Sequence, residues 1–592
     1  MTAPRSATPK IPGSGVATPS TRRSRAGAWA RTNWLLVAAI AGGLAARIVV
    51  WTVTDRRLDD ALITIKFAKN VAEGHGLVHN LGDGHVYGFT SALSVLIPLP
   101  GELIAPGGGI FLLRLVSLVA FAVAAVYAYR ISCELGIGPW PTGFALAFLA
   151  FDQNQVMFGM AGMETQVAVA VLLAGVFYVL AEDYIKSGVS LGLALLARPD
   201  FVLWVGPAYL FLFVRHRARA LRAGLISGAI VAPWLIFTTA YYGTPIPNTV
   251  TAKNLVSGPV LPSLADPGAW IDFLGDQFGA HAHDWPVLAP FLEHGFVLHA
   301  PLPRELLEAT ALLVVALGVI GAVGAWNRPG LRPAIAFVAL FALYKVIFLT
   351  YGYFEWYGVP AFAVLILLAA VGLDRASAFI ATTLQGRIAV PRAQLAALPA
   401  TLLALAYAIQ LPYVVPLEAR IQHDIENHVR VPLGRYLGRV VRPGQTFTSE
   451  SSGYVGYYTN ATLYDYPGLV STTVVDALRD AGISEVSAGA IGGPAFQGLD
   501  SPAGVAKLLR PDWLVLRPDE LELFRDNYPR AARLYRPVRQ FGSADAHDRL
   551  ELGGLRLYDI DREFIVLRRR ALTPQGRGNG FSQGPRLNAP AG

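Results

Sequence analysis

NWLLVAAIAGGLAARIVVWTV (residues 33–53), followed by LDDALITIKFAKNVAEGHGLVHNLGDGHVYGFTS (residues 58–91), decides what kind of molecule this chain is. The first stretch carries a single charge, Arg47. It is long enough as a helix to cross a hydrocarbon core of about 30 Å. The second is the first polar segment after that run, and it opens with two adjacent carboxylates, Asp59 and Asp60.

Working outward, apolar runs recur at about 110–133, 141–157, 161–181, 186–198, 201–214, 221–242, 305–326, 332–350, 356–374 and 394–416. With the first run they predict about eleven transmembrane helices. Composition agrees: 53% of the 592 residues are hydrophobic and 15% are charged, against roughly 25% charged in soluble domains. The fold class expected is therefore a polytopic α-helical membrane protein. The net charge of +8 gathers beside apolar runs, where Lys and Arg set orientation, and this argues against nucleic acid as a partner. One cysteine, Cys133, excludes an intrachain disulfide framework and any multi-cysteine metal site.

Residues 1–31 hold Arg5, Lys10, Arg22, Arg23, Arg25 and Arg31 with no acid, which predicts a disordered basic tail on the cytoplasmic side. The first span then crosses outward, so Asp59 and Asp60 emerge on the extracytoplasmic face. The basic links 215–222, 327–332 and 374–392 fall in the cytoplasm by the same rule. Counting from them closes only with an odd number of spans. The proline-broken run 92–104 is then a half-helix that does not cross. Residues 158–164, 198–200, 241–300 and 351–357 join the aspartates on the outer face.

Within 60–73, Ile63, Phe67 and Val71 recur on one side, predicting a short helix lying in the bilayer interface. Residues 417–570 change to mixed helix and strand patterns, with β-like runs at 446–450, 461–466, 513–517 and 564–568. Helical stretches are expected at 423–441, 474–481, 504–509 and 519–535. The domains expected are a tail (1–31), a transmembrane domain (32–416) with its first outer loop at 55–109, a C-terminal α/β extracytoplasmic domain (417–570) and a disordered tail (571–592).

Asp59 and Asp60 have two readings. Acids at a helix start satisfy free N–H groups and suit the helix dipole, whereas two carboxylates side by side raise one another's pKa or bind a cation. His75, His79 and His85 lack helical ligand spacing. Glu164 flanks a span. Arg198-Pro199-Asp200 separates two short apolar runs, where charge is costly unless paired or functional. Lys66 reads as a solvated or headgroup contact, Lys253 as a juxtamembrane cation or a phosphate partner, and Glu355-Trp356-Tyr357 as an aromatic interface belt with a spare acid.

Asp59, Asp60, Ile63, Lys66, Asn70, Gly74, Gly76, Val78, Asn80 and Gly82, then Val86, Gly88, Thr90 and Ser91 after one extra residue, follow the first-loop pattern of a known group. GMET (162–165), ARPD (197–200), PNTVTAK (247–253), FEWY (354–357) and SSGYVGYYTNATLYDYPGLV (451–470) fit it too. The chain thus resembles, over most of 34–520, the GT-C membrane glycosyltransferases that use polyprenyl-phosphate sugars, and is similar to mycobacterial terminal arabinofuranosyltransferases. It departs from them at Lys66, where Arg is usual, at Asp200, where Glu is usual, and at Asp83-Gly84-His85.

The resemblance implies sugar transfer, of arabinofuranose in the nearest case, from a polyprenyl phosphate to a glycan acceptor of the cell envelope at the outer face of the plasma membrane. It implies Asp59 or Asp60 as general base, the other orienting the acceptor or holding a divalent cation, with no further cofactor. Lys66, Arg198 and Lys253 would meet the phosphate, Trp356 and Tyr357 stack on the sugar, and Glu164, Asn248 and Glu355 bind substrate. A lipid-linked glycan flippase and a non-catalytic envelope scaffold are the alternatives from other classes.

Overall fold

The computed structural model describes residues 33–257, 261–280, 303–348, 355–383, 391–483, 498–499, 501–542 and 560–570. The two terminal tails and part of the long link before residue 303 lie outside them. Helices stand at all eleven expected places, among them Trp34–Thr54, Gly108–Leu135, Arg217–Tyr242 and Val359–Thr383. Six helical stretches among the described residues are long and apolar enough to cross a membrane; others, such as Thr165–Leu180 and Tyr184–Ala197, are shorter. The run 92–104 forms two short helices, Leu93–Leu96 and Leu99–Ile104, divided at the proline pair.

The bundle is held by close approach and by one buried cation. A Cβ on Gly321 would collide with the Leu368 carbonyl, and one on Gly372 with that of Leu317. Helices Arg304–Gly324 and Val359–Thr383 therefore touch backbone to backbone, as small residues permit in lipid. Arg47 is fully buried. It donates to Gln166 Oε1 at 2.9 Å and to the carbonyls of Leu149 (3.0 Å) and Ala150 (3.2 Å), with its guanidinium 3.7 Å over the Phe121 ring. A charge inside a span persists only with such partners.

Three expectations need correction. The run 141–157 is not one helix: Pro139–Phe151 ends at Asp152, whose carboxylate accepts from Asn154 N (3.1 Å) and Gln155 N (3.0 Å) and starts Gln153–Met160. The expected helix 423–441 is not separate from the span before it. Arg392–Ala408, Leu411–Arg420, a π-helical stretch Ile421–Arg430 and Val431–Val440 follow one another almost without a break. The expected boundary at 416/417 thus falls inside a helical rod. The 519–535 helix also stops early, and Tyr535–Gly542 is a strand.

That strand closes a five-stranded sheet. Numbered in chain order, Thr446–Ser449 (β1), Thr462–Asp465 (β2), Trp513–Leu516 (β3), Tyr535–Gly542 (β4) and Glu563–Arg569 (β5) lie in the order β2-β1-β3-β5-β4. β1 runs parallel to both of its neighbours, β2 and β3, while β5 runs antiparallel to β3 and β4. Pro537 sits on the edge strand, beside a register irregularity, where a missing N–H is tolerated.

The helix expected at 60–73 is Asp59–Ala72. Its apolar stripe does not face lipid. Ile63 and Phe67 are buried in one cluster with Val429, Leu433, Val455, Leu463 and Trp513. The sheet domain covers the face that the sequence assigned to the bilayer, because a nearby protein surface buries it as well as lipid does.

Candidate active site

The turn into the Asp59–Ala72 helix puts its two carboxylates in different surroundings. Asp59 accepts from Gly453 N at 2.8 Å and Tyr454 N at 2.9 Å, at the start of helix Ser452–Tyr457. A Cβ on Gly453 would collide with the Asp59 carbonyl, so only glycine allows this approach. Asp60, the next residue, points instead into a cavity of about 270 Å³, just below the roughly 300–1,000 Å³ usual for small-molecule sites.

Seven other segments complete that cavity, one of them residues 88–94 of the first outer loop. Glu164 comes from the turn before helix Thr165–Leu180, and Arg198 and Asp200 from the joint between Tyr184–Ala197 and Val202–Arg215. Thr249 and Lys253 lie on helix Asn248–Ser257, and Tyr344 and Lys345 on the last turns of Arg332–Ile347. Trp356 and Tyr357 follow, and Leu469 is supplied by the sheet domain. Charges spread along the chain from Asp60 to Lys345 thus meet in one place.

The cations converge on Tyr357. Lys253 Nζ donates to the Tyr357 hydroxyl at 3.1 Å. Lys345 Nζ lies 4.7 Å, Arg198 Cζ 4.9 Å and Lys253 Nζ 5.6 Å from the ring centroid. Arg198 also donates twice to Asp200, at 3.0 and 2.9 Å, a planar fork that fixes the guanidinium. Burial works against the charge of Arg198, but Asp200, Glu164 and Tyr357 together outweigh it and raise its pKa. Three cations around one phenol repel one another, and a negative group among them would relieve that repulsion.

The carboxylates are tuned the other way. Burial pushes Asp60 up to about 6, Lys253 pulls it down, and neighbouring Asp59 adds to the rise. Burial likewise raises Glu164, against the pull of Arg198. The Thr249 hydroxyl is buried on the cavity wall with no hydrogen-bond partner among the described residues. A carboxylate near pH 6 can take a proton at neutral pH. An unpartnered buried hydroxyl is a place for a ligand group.

Some expected residues serve elsewhere. Lys66 is buried away from the cavity and donates to Thr459 O (2.8 Å) and Asn460 Oδ1 (3.0 Å); burial lowers its pKa to about 7. It staples the first outer loop to the sheet domain. Asn248 donates to Gly468 O at 2.8 Å and Leu469 O at 3.3 Å, tying its helix to the same domain. Asn80 does the same through Leu463 and Val470, and Asp83 accepts from Ser471 and Thr473. Glu355 opens the short turn Glu355–Tyr357. His79, which burial pushes down to about 3, and His85, stacked on Tyr241, do not converge. Among the described residues, the cavity carboxylates form no group of three metal ligands.

Sequence reasoning missed Lys345 and Tyr344. A lysine inside the apolar run 332–350 was the available signal, since ionisable residues within spans mark function.

A mostly helical bundle of membrane-length helices with a small sheet domain is the class these observations define. Residues 419–558 match a family described as a domain of unknown function, DUF8728. No curated protein matches the chain. Its fold is similar to that of the archaeal oligosaccharyltransferase AglB from Archaeoglobus fulgidus, solved with an inhibitory peptide and a dolichol-phosphate. There the identity is 12% over 89% of this chain and 76% of that one, with a TM-score of 0.48. It is also similar to ArnT from Cupriavidus metallidurans bound to undecaprenyl phosphate, at 12% identity over 91% of this chain and 99% of that one, with a TM-score of 0.46.

Proposed function

We propose that the protein is an integral membrane glycosyltransferase that moves a sugar from a polyprenyl-phosphate donor to a hydroxyl of a glycan acceptor. The single observation that supports this best is one cavity holding Asp60, raised to about 6, together with Arg198, Lys253 and Lys345 around Tyr357. In this mechanism the acceptor O–H gives its proton to Asp60 as the oxygen attacks the anomeric carbon. The bond from that carbon to the phosphate oxygen breaks, and its electron pair leaves with the polyprenyl phosphate. The three cations meet the charge that develops there. Trp356 stacks on the sugar, and Glu164 and Thr249 bind its hydroxyls. Phe348, on the cavity wall and 39% exposed, leads the prenyl tail toward lipid.

The motif resemblance supports the finer reading: an arabinofuranosyl donor, an envelope glycan acceptor, cell-wall biogenesis at the plasma membrane, a cytoplasmic N-terminus and an extracytoplasmic 417–570 domain. Membranes holding the wild type or Asp60→Asn, given radiolabelled polyprenyl-phosphate sugars with and without chelator, test it. Label should move to glycan only with the wild type. Equal transfer by Asp60→Asn overturns the assignment, the sugar that moves names the donor, and the chelator arm reports on a divalent cation beside Asp60.

A further inference from the structure

The helical rod carries a second group of polar side chains that sugar transfer does not use. Residues 423–428 read HDIENH. In an α-helix, positions five apart point about 140° away from each other, at 3.6 residues per turn. Here Ile421–Arg430 is π-helical, and the wider turn lays position i+5 back over position i. Gln422 accordingly donates to Asn427 Oδ1 at 3.0 Å. The rings of His423 and His428 come together in the same way, with centroids 4.3 Å apart. Longer π segments are rare, and single π turns gather at functional sites.

The two imidazoles are set differently. His428 Nδ1 lies 2.5 Å from the His423 carbonyl, and His423 Nδ1 lies 2.7 Å from Asp424 Oδ1. His428 Nδ1 therefore carries the hydrogen and leaves its lone pair on Nε2, whereas His423 Nδ1 and Asp424 Oδ1 face each other closely enough for one ion to take the place of the hydrogen between them. A carbonyl behind the His428 ring is the outer-shell arrangement of metal-bound histidines. One ligand atom from each of His423, Asp424 and His428 lies within 4.8 Å of the others. A small rotation of the two exposed rings brings them to the spacing of a common ion. The cluster adjoins an open hollow of about 480 Å³ whose walls include Ala419 and Arg420. Water can complete the coordination there, while Arg420 contributes charge but no ligand.

We propose that His423, Asp424 and His428 form a binding site for a divalent transition metal of the zinc type. Two imidazoles and one carboxylate suit Zn²⁺ or Co²⁺, whereas Mg²⁺ and Ca²⁺ take oxygen-only sets. Bound metal would lock the π register. That register also carries Glu426 and Arg430, which pair with Arg56 and Asp561 where the bundle meets the sheet domain. The ion therefore fastens the rod and is separate from the sugar-transfer cavity.

The full-length protein, purified in detergent without a polyhistidine tag and stripped with chelator, is titrated with Co²⁺ and followed by visible d–d absorption. Zn²⁺ and Mg²⁺ then compete. One equivalent of Co²⁺ should bind, and Zn²⁺ but not Mg²⁺ should displace it. His423→Ala and His428→Ala should each weaken binding by about 10-fold or more, while His85→Ala and Asp60→Asn keep wild-type affinity. Absence of the d–d bands in the wild type overturns the proposal, and this reading requires no variant to fold. Retention of affinity in both rod variants, loss of affinity in Asp60→Asn, or equal displacement by Mg²⁺ overturns it as well.

Discussion

Two faces of one short helix hold the same kinds of residue and do different work. On one side of Asp59–Ala72, Asp59, Lys66 and Asn70 are spent on backbone groups: Asp59 on Gly453 and Tyr454, Lys66 on Thr459, and Asn70 on the carbonyls of Val78 and His79. A turn's fraction away, Asp60 and Thr64 open into the cavity with Arg198 and Lys253. The first face satisfies polar backbone that would otherwise be buried without partners. The second keeps a carboxylate desolvated, with no backbone donor to stabilise it among the described residues. In the proposed mechanism burial therefore means docking on one face and chemistry on the other, and the partner atoms tell them apart.

The sharpest break in that comparison is Asp60→Asn. Loss of a general base should lower kcat by about 10²- to 10⁴-fold, measured as label transfer per folded protein. Stability should move the opposite way. The folded-state pKa of about 6 stands above the ordinary 3.8, so the folded protein binds the proton more tightly. Its stability falls as pH rises from about 4 to 6, and the deficit persists above. Asn does not titrate, so thermal unfolding above pH 6 should occur at a higher temperature in the variant, by up to roughly 3 kcal/mol of stability.

The cations give the next largest effect. Lys253→Met and Lys345→Met should each lower kcat by about 10²-fold, the usual cost of one lost donor to a developing negative charge. Lys66→Met is the control, because its ammonium touches Thr459 and Asn460. Its kcat should stay within a few-fold of wild type under the same assay. A large loss in Lys66→Met, with Lys253→Met unaffected, would reverse the assignment of the two lysines.

Asp59→Ala should act on stability. Two buried N–H groups, of Gly453 and Tyr454, lose their acceptor, at about 1–3 kcal/mol for a polar group left unsatisfied. Thermal unfolding should come earlier, while transfer per folded molecule at low temperature survives.

The bundle was legible because apolar runs of span length have few other uses. Arg198, Glu164 and Lys253 were legible as charges at span ends, where isolated charge is costly. Lys66 and Lys253 could not be separated, since each is a lysine near a span and only long-range packing gives one a carbonyl and the other Tyr357. Lys345 was hidden in the apolar run that supplies its helix. The break at Asp152 replaces one set of backbone hydrogen bonds with a carboxylate cap and leaves the apolar pattern unchanged. The π register of 421–430 alters which side chains stack without altering which are apolar. Strand Tyr535–Gly542 lies at a sheet edge, mostly exposed and with Pro537, so it lacks the alternation that marks a half-buried strand.

The finest test of the cavity is its pH profile. A base that works ionised is blocked by its own proton, so wild-type kcat/KM should fall about tenfold per pH unit below about 6 and level off above it. Lys253 is the largest influence holding the Asp60 pKa down. In Lys253→Met that pull is gone, burial and Asp59 act unopposed by it, and the acidic limb should move to higher pH. Lys66→Met should leave the limb where it is, because Lys66 is not among the charges that set the Asp60 pKa. The shift is small beside the loss of kcat, but it ties the two groups to one site. A limb that stays fixed in Lys253→Met would place the titrating base somewhere other than Asp60.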